Sequence, residues 1–235
     1  MSYEVVVYTN NMKKILLADL YSRIKDQGFK LYRDGENSGF IKRENGIVVG
    51  FQLEFYSTYS SIAFSGISMG MERVEEIIRE VNKPNGYPDK YLDINSEYFL
   101  PTIRDIKIPL MDGLSYKDEA STLRVSGLVV NYLANSGGVF VDKFSYMPNV
   151  LIVMDILTSK GLRWHDKSEG ILSGTIDAYF RGLIISKLCN DPDFTNKIEM
   201  VDQFLSRPVP RVQEWQSYYL KLKEKLSEIE PIYNL

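Results

Sequence analysis

Apolar residues recur at helical spacing over 11–27, where Ile15, Leu16, Leu20 and Ile24 share one face and predict an amphipathic helix. Gly28 follows as a residue suited to the left-handed stop of a helix. From Phe29 the period changes to two: Phe29, Leu31 and Arg33 alternate with Lys30 and Tyr32, as in a strand. The earlier stretch YEVVVYT reads as an edge strand, as an extension of the helix or as a loose terminus. The strongest local signal is FIKRENGIVVGFQLEFY, where Asn45-Gly46 separates two alternating runs and suits a two-residue type I′ hairpin turn. In its second arm Ile47, Val49, Phe51, Leu53 and Phe55 form one face, against Val48, Gln52, Glu54 and Tyr56. A further strand is predicted over 61–69. MERVEEIIREVNK then returns to helical spacing, with acids early and bases late as the helix dipole favours.

The pattern breaks up over 84–116 under Pro84, Pro88, Pro101 and Pro109. Tyr87, Tyr91, Tyr98, Phe99 and Ile108 make that stretch too apolar for a solvated tether, so it reads as a covering loop. Beyond it, helices are predicted near 117–135, 146–160, 169–189, 193–206 and 210–229. Gly137-Gly138, Gly161, Asp191-Pro192, Pro208 and Pro210 punctuate them, with Ser168 and Asp193 as N-caps. Gly170, Gly174 and Gly182 within 169–189 imply close approach by a neighbouring helix. The predicted class is α+β: a small antiparallel β-meander with helices in a domain over 1–115, and an all-α domain over 116–235 packed against it.

Composition is that of an ordinary globular protein, with 44% hydrophobic and 25% charged residues among 235. The halves are balanced: 1–115 carry 14 basic and 16 acidic side chains, 116–235 carry 14 and 15. No basic stripe follows a phosphate backbone, so nucleic acid is disfavoured as a partner. No apolar run approaches a membrane span, and the run after Met12-Lys13-Lys14 is cut short by Asp19, so no signal segment is read. One cysteine and one histidine exclude an intramolecular disulfide and a Cys/His metal cluster, which fits a reducing cytoplasm. No cofactor motif is present; GISMGMERVEE lacks both GxGxxG and GK[ST], and its Gly66 and Gly70 are assigned to a tight βα turn.

His165, in GLRWHDKSEG, has only Asp166, Glu169 and the more distant Asp155 and Asp177 as candidate partners, and a connector role is favoured over catalysis. Trp164 is read as pinning that turn to the core. Cys189 lies in the apolar run AYFRGLIISKLC and reads as core packing. WQSYYLKLKEKLSEIE is amphipathic with mixed charges, which favours a packed helix over a membrane anchor. No catalytic, cofactor-binding or metal-binding residue is assigned.

Helix, QGFKLYRDG, then SGFIKRENGIVVGFQLEF, then a strand and a second helix, resembles the bacterial family called domain of unknown function 4304. Gly28-Phe29, Phe40, Arg43 and Gln52 carry the likeness, over about the first third of the chain. The resemblance implies a cytoplasmic protein of bacterial conflict systems, an immunity-type inhibitor that neutralises a toxin by binding it. The expected function is therefore non-enzymatic protein binding, with Tyr56 and Tyr59 of FYSTYSS as partner-binding anchors, although sheet packing is the favoured role for both. Two alternatives stand beside it: a carboxylate-dependent hydrolase or transferase with its site between the halves, and a small-ligand binder lined by aromatics from 87–99.

Overall fold

The computed structural model describes residues 3–34, 37–81, 100–106 and 114–234, and for 3–10, 33–34 and 37 the backbone only. Two compact units interleave along the chain instead of dividing at residue 115: Met1–Ser68 with Lys107–Asp142, and Met69–Ile106 with Lys143–Leu235. The protein is α+β, with an antiparallel sheet and helices towards the N-terminus and a helical C-terminal part.

In the first unit, helix α1 (Tyr3–Ile24) takes in the YEVVVYT stretch as a helical extension, and Leu16, Leu17, Leu20 and Ile24 are buried. A short 3-10 turn leads to Gly28, whose φ of 86° is the left-handed stop. Strands β1 (Lys30–Asp34), β2 (Asn37–Glu44), β3 (Ile47–Tyr56) and β4 (Ser61–Met71) follow as a meander in chain order. Asn45 and Gly46 both take positive φ, 51° and 75°, and close the β2–β3 hairpin in the register Glu44↔Ile47. Helix α3 (Glu119–Tyr132) packs along α1.

The sheet's inner face is an aromatic ladder. Phe40 stacks on Phe51 at 5.3 Å, and Phe29 and Phe64 meet Phe51 edge-on at 5.8 and 5.6 Å. Phe64 in turn meets Tyr132 at 5.1 Å. Such pairs add about 0.5–1.5 kcal/mol each beyond area burial.

Gly66 and Gly70 lie inside β4, not in a βα turn, because the strand passes straight into helix α2 (Glu72–Val81) with no connecting loop. The alternation of β4 slips where Gly66 adopts φ 75°, and the neighbouring Ile67 N–H donates to the Tyr132 hydroxyl at 3.2 Å. Short strands β5 (Ile103–Arg104) and β6 (Leu114–Ser115) come next, β6 pairing with the start of β4.

Helix α3 (Glu119–Tyr132) opens on a capping box of Asp118 and Ser121. The chain kinks at Asn135 (φ −117°, ψ −105°) before α4 (Gly138–Phe144) begins, so a break between two helices falls just ahead of the glycine pair expected to separate them. Gly137 is required there because a Cβ would stand 2.8 Å from the Tyr132 ring.

The second unit is built around α6 (Asp177–Leu188), which is buried on nearly every side. Around it stand α2, α5 (Pro148–Ser159), α7 (Phe194–Leu205) and α9 (Gln216–Glu228), with the single turn α8 (Pro210–Gln213) before α9. Residues 169–176, expected to be helix, are a loop, and Gly170 and Gly174 are loop glycines. Gly182 is inside α6, but the group that approaches it is the Trp164 indole: a Cβ would lie 2.3 Å from that ring. Asp193 precedes α7 without capping its backbone; its carboxylate accepts from the Asn196 amide.

Arg181, only 2% exposed, carries the unit's central polar cluster. Its Nε and Nη2 donate to the two Glu75 carboxylate oxygens of α2 at 2.7 and 2.9 Å. Its Nη1 donates to Asp177 at 2.5 Å and to the Ser173 carbonyl at 3.2 Å. The Thr102 hydroxyl donates to Glu75 at 2.8 Å and accepts from the Met71 N–H at 2.8 Å. Cutting one partner from a buried ion cluster strands the opposite charge. Arg181→Ala is therefore expected to lower the unfolding free energy by about 3–5 kcal/mol in urea titrations; a change under about 1 kcal/mol, the range of a surface pair, would show that the cluster is not central.

Candidate functional site

The segment after α5 is stitched into one conformation by its own backbone. Gly161 takes φ 70°, its N–H reaches the Thr158 carbonyl at 2.9 Å, and the Leu162 N–H reaches Leu157 at 2.9 Å. Trp164 is buried, its indole N–H donates to the Thr158 hydroxyl at 2.9 Å, and its carbonyl accepts from the N–H groups of both Ile171 and Leu172. Between these anchors Asp166 Oδ1 accepts from the Ser168 N–H, the Ser168 hydroxyl and the Glu169 N–H, at 2.8, 2.8 and 3.1 Å. Ser168 thus serves an Asp-centred turn and caps no helix. The Ser168 amide, then its hydroxyl and the Glu169 amide, hold the Asp166 carboxyl below its usual range. Gly170 is obligatory, since a Cβ there would lie 2.2 Å from the Asp166 nitrogen.

The returning strand of this loop fastens to β5. Arg104 N–H donates to the Ile171 carbonyl at 3.2 Å, and Ser173 N–H to the Thr102 carbonyl at 2.9 Å. Thr175 N–H then donates to Asp177 at 2.9 Å, so the loop ends on the Arg181 cluster.

These fastenings leave an open cleft of about 800 Å³. Arg163, His165, Asp166 and Lys167 of the loop line it together with Arg104 from β5, and so do Phe204, Val209, Arg211 and Val212. Four cations and one carboxylate line it, and none of the four cations has an ion-pair or side-chain hydrogen-bond partner among the described residues.

GLRWHDKSEG is a connector, as read, and Trp164 pins it to the core. It also forms one wall of the cleft, a role no local signal in the stretch announced. His165 sets its ring edge against Tyr179 at 5.1 Å, and its Nδ1 is buried without a hydrogen-bond partner. Burial, then the nearby Arg163, depresses its pKa below the ordinary 6.5; Asp177 and Asp166 oppose, and Arg104 adds to the depression. Tyr179 is itself pushed up by burial.

Other candidate residues fall elsewhere. Tyr56 and Tyr59 stand at the β3–β4 end and are 46% and 74% exposed, so they do not pack into the sheet as favoured. Tyr56 donates its hydroxyl to Glu54 at 2.8 Å. Cys189 is fully buried and its thiol is pushed up to about 12, chiefly by burial. Tyr87, Tyr91, Tyr98 and Phe99, expected to line a ligand pocket, lie outside the described residues. Among the described residues no group of three or more His, Cys, Asp or Glu could hold a metal, and no helix is long and apolar enough to cross a membrane.

No family model, curated protein or solved structure matches the chain, so the likeness to the domain of unknown function 4304 family rests on its residues alone.

As the only histidine, His165 gives an imidazole resonance that can be followed directly by NMR. Its midpoint is expected below 6.5 and should rise in Arg163→Ala. With the folded pKa below the unfolded one, the unfolded chain takes the proton more readily. The contribution to stability is thus intact above about pH 6.5 and is lost as pH falls through the folded midpoint. A midpoint at or above 6.5 would show that burial and Arg163 do not govern the ring.

Proposed function

We propose that the second unit is a binding module, without catalysis, that takes an anionic small molecule in the cleft beside His165. The observation that carries this reading is the set of cations, Arg104, Arg163, Lys167 and Arg211, that line one opening of about 800 Å³ and have no ion-pair or side-chain hydrogen-bond partner among the described residues. Unpaired like charges repel, and an anion relieves that repulsion. The volume falls within the roughly 300–1,000 Å³ usual for small-molecule sites. Asp166, the one acidic lining residue among the described residues, already accepts three hydrogen bonds through Oδ1. A hydrolase working through carboxylates needs a second acid at the same opening.

Sulfate, phosphate and citrate are expected to raise the thermal midpoint of the wild type at low ionic strength, and to do so far less in the Arg104→Ala/Arg163→Ala variant. Such anions also stabilise proteins non-specifically, so the difference between the two proteins is the signal. Equal shifts in both would sink the cleft as the site.

The exposure of Tyr59 favours a second reading, protein binding by the β3–β4 end. Exposed aromatic residues are the common anchors of protein interfaces. The resemblance to the domain of unknown function 4304 family, which implies a protein of bacterial conflict systems, suggests the partner: a toxin met in the cytoplasm. Tyr56→Ala/Tyr59→Ala should keep the wild-type melting temperature while losing at least about tenfold in affinity for that partner, which corresponds to about 1.4 kcal/mol. Unchanged recovery of the partner in pull-downs from the native host would remove the tyrosines from the interface.

A further inference from the structure

The cleft's recognition chemistry follows from His165. Its Nδ1 is buried with no partner, which leaves Nε2 as the ring nitrogen available to a ligand. Orphaned buried N–H groups are rarer than under-satisfied acceptors, which favours the neutral tautomer that carries its proton on Nε2 and offers it to the cleft. The groups around it are Arg163 and Asp166 on its own loop, Arg104 from β5, and Asp177 and Tyr179 from α6. Asp177 is engaged by Arg181, and Asp166 Oδ1 by the turn. Asp166 remains a carboxylate at the opening, where the guanidiniums of Arg104 and Arg163 outnumber it beside the imidazole and Lys167 adds a third cation.

Two guanidinium forks and an imidazole N–H offer more donors than the two oxygens of a carboxylate use. A phosphomonoester brings three acceptor oxygens and about −1.5 to −2 charge, which matches both the donors and the surplus of cations. Phe204, Val209 and Val212 also line the cleft, beside Arg211, and suit an apolar body. Arg207, stacked over Phe204 at 5.2 Å, stiffens that ring.

We infer that the cleft takes a phosphomonoester of a small organic molecule, its phosphate between Arg104 and Arg163 on the Nε2–H of neutral His165 and its body on Phe204, Val209 and Val212. This rests on the anion-binding reading above.

Calorimetric titration of the whole chain with phenyl phosphate, inorganic phosphate and benzoate tests it. Phenyl phosphate should bind at least about tenfold tighter than either of the others, the effect of one good charge-assisted hydrogen bond or of the buried ring. His165→Gln, which keeps a neutral N–H donor, should hold affinity within about threefold, while His165→Leu should lose about tenfold, with melting curves showing both folded. Benzoate binding as well as phenyl phosphate, or His165→Leu binding like wild type, would overturn the phosphomonoester inference and leave the anion reading standing. Binding of none of the three would overturn both. A phosphotyrosine peptide binding more than about tenfold tighter than phenyl phosphate would overturn the small-molecule form and make the ligand a polypeptide.

Discussion

A buried guanidinium has to be answered on every donor, and Arg181 at 2% exposure imposes that demand on four separate pieces of chain. Glu75 comes from α2, Asp177 from the first turn of α6, and the Ser173 carbonyl from the loop before it. Thr102, just before β5, orients Glu75 and also accepts the Ser173 N–H at its own carbonyl. Satisfying one side chain therefore sets where α2, β5 and the loop lie against α6. The cluster need not add net stability over an apolar core; its effect is to leave one arrangement in which no charge is stranded.

The cleft is a consequence of that arrangement. Its cations are exposed and without ion-pair partners among the described residues, while the groups that hold the loop in place are buried or hydrogen-bonded: Trp164, the Asp166 turn, and the Ile171 carbonyl that accepts the Arg104 N–H. Residues that carry the fold and residues that would meet a ligand are thus different side chains on the same loop. Such a division allows a charge-repelling surface to persist without loosening its support. The chain as a whole carries a formal charge of −3, so the cationic opening is a local feature against an acidic background. Field focusing of this kind draws anions to the opening and weakens with salt.

Legibility along the chain tracked how local the deciding interactions are. Asn45-Gly46 and Gly28 were readable because a positive φ is a property of one or two residues. Helix α2 was readable because its burial alternates at 3.6 residues. The loop over 169–176 was misread as helix: Ile171, Leu172 and Ile176 are buried there as in a helix, but through contacts of an extended segment with β5. The break after α3 was readable, since the chain kinks at Asn135 just before Gly137-Gly138 and Gly137 lies too close to the Tyr132 ring for a Cβ.

The sequence by itself determined the class of fold, the meander and its hairpin, the helical character of the later part, and the connector role of GLRWHDKSEG, since each follows from periodicity or from single-residue conformational preference. Tertiary structure alone decided that Arg104, Arg163, Lys167 and Arg211 share an opening with His165. These cations are spread from residue 104 to 211 with no spacing rule among them. The return of the loop from Trp164 to β5, drawn in by main-chain hydrogen bonds and by the buried Arg181, brings Arg163 and Lys167 beside Arg104, and α8 adds Arg211.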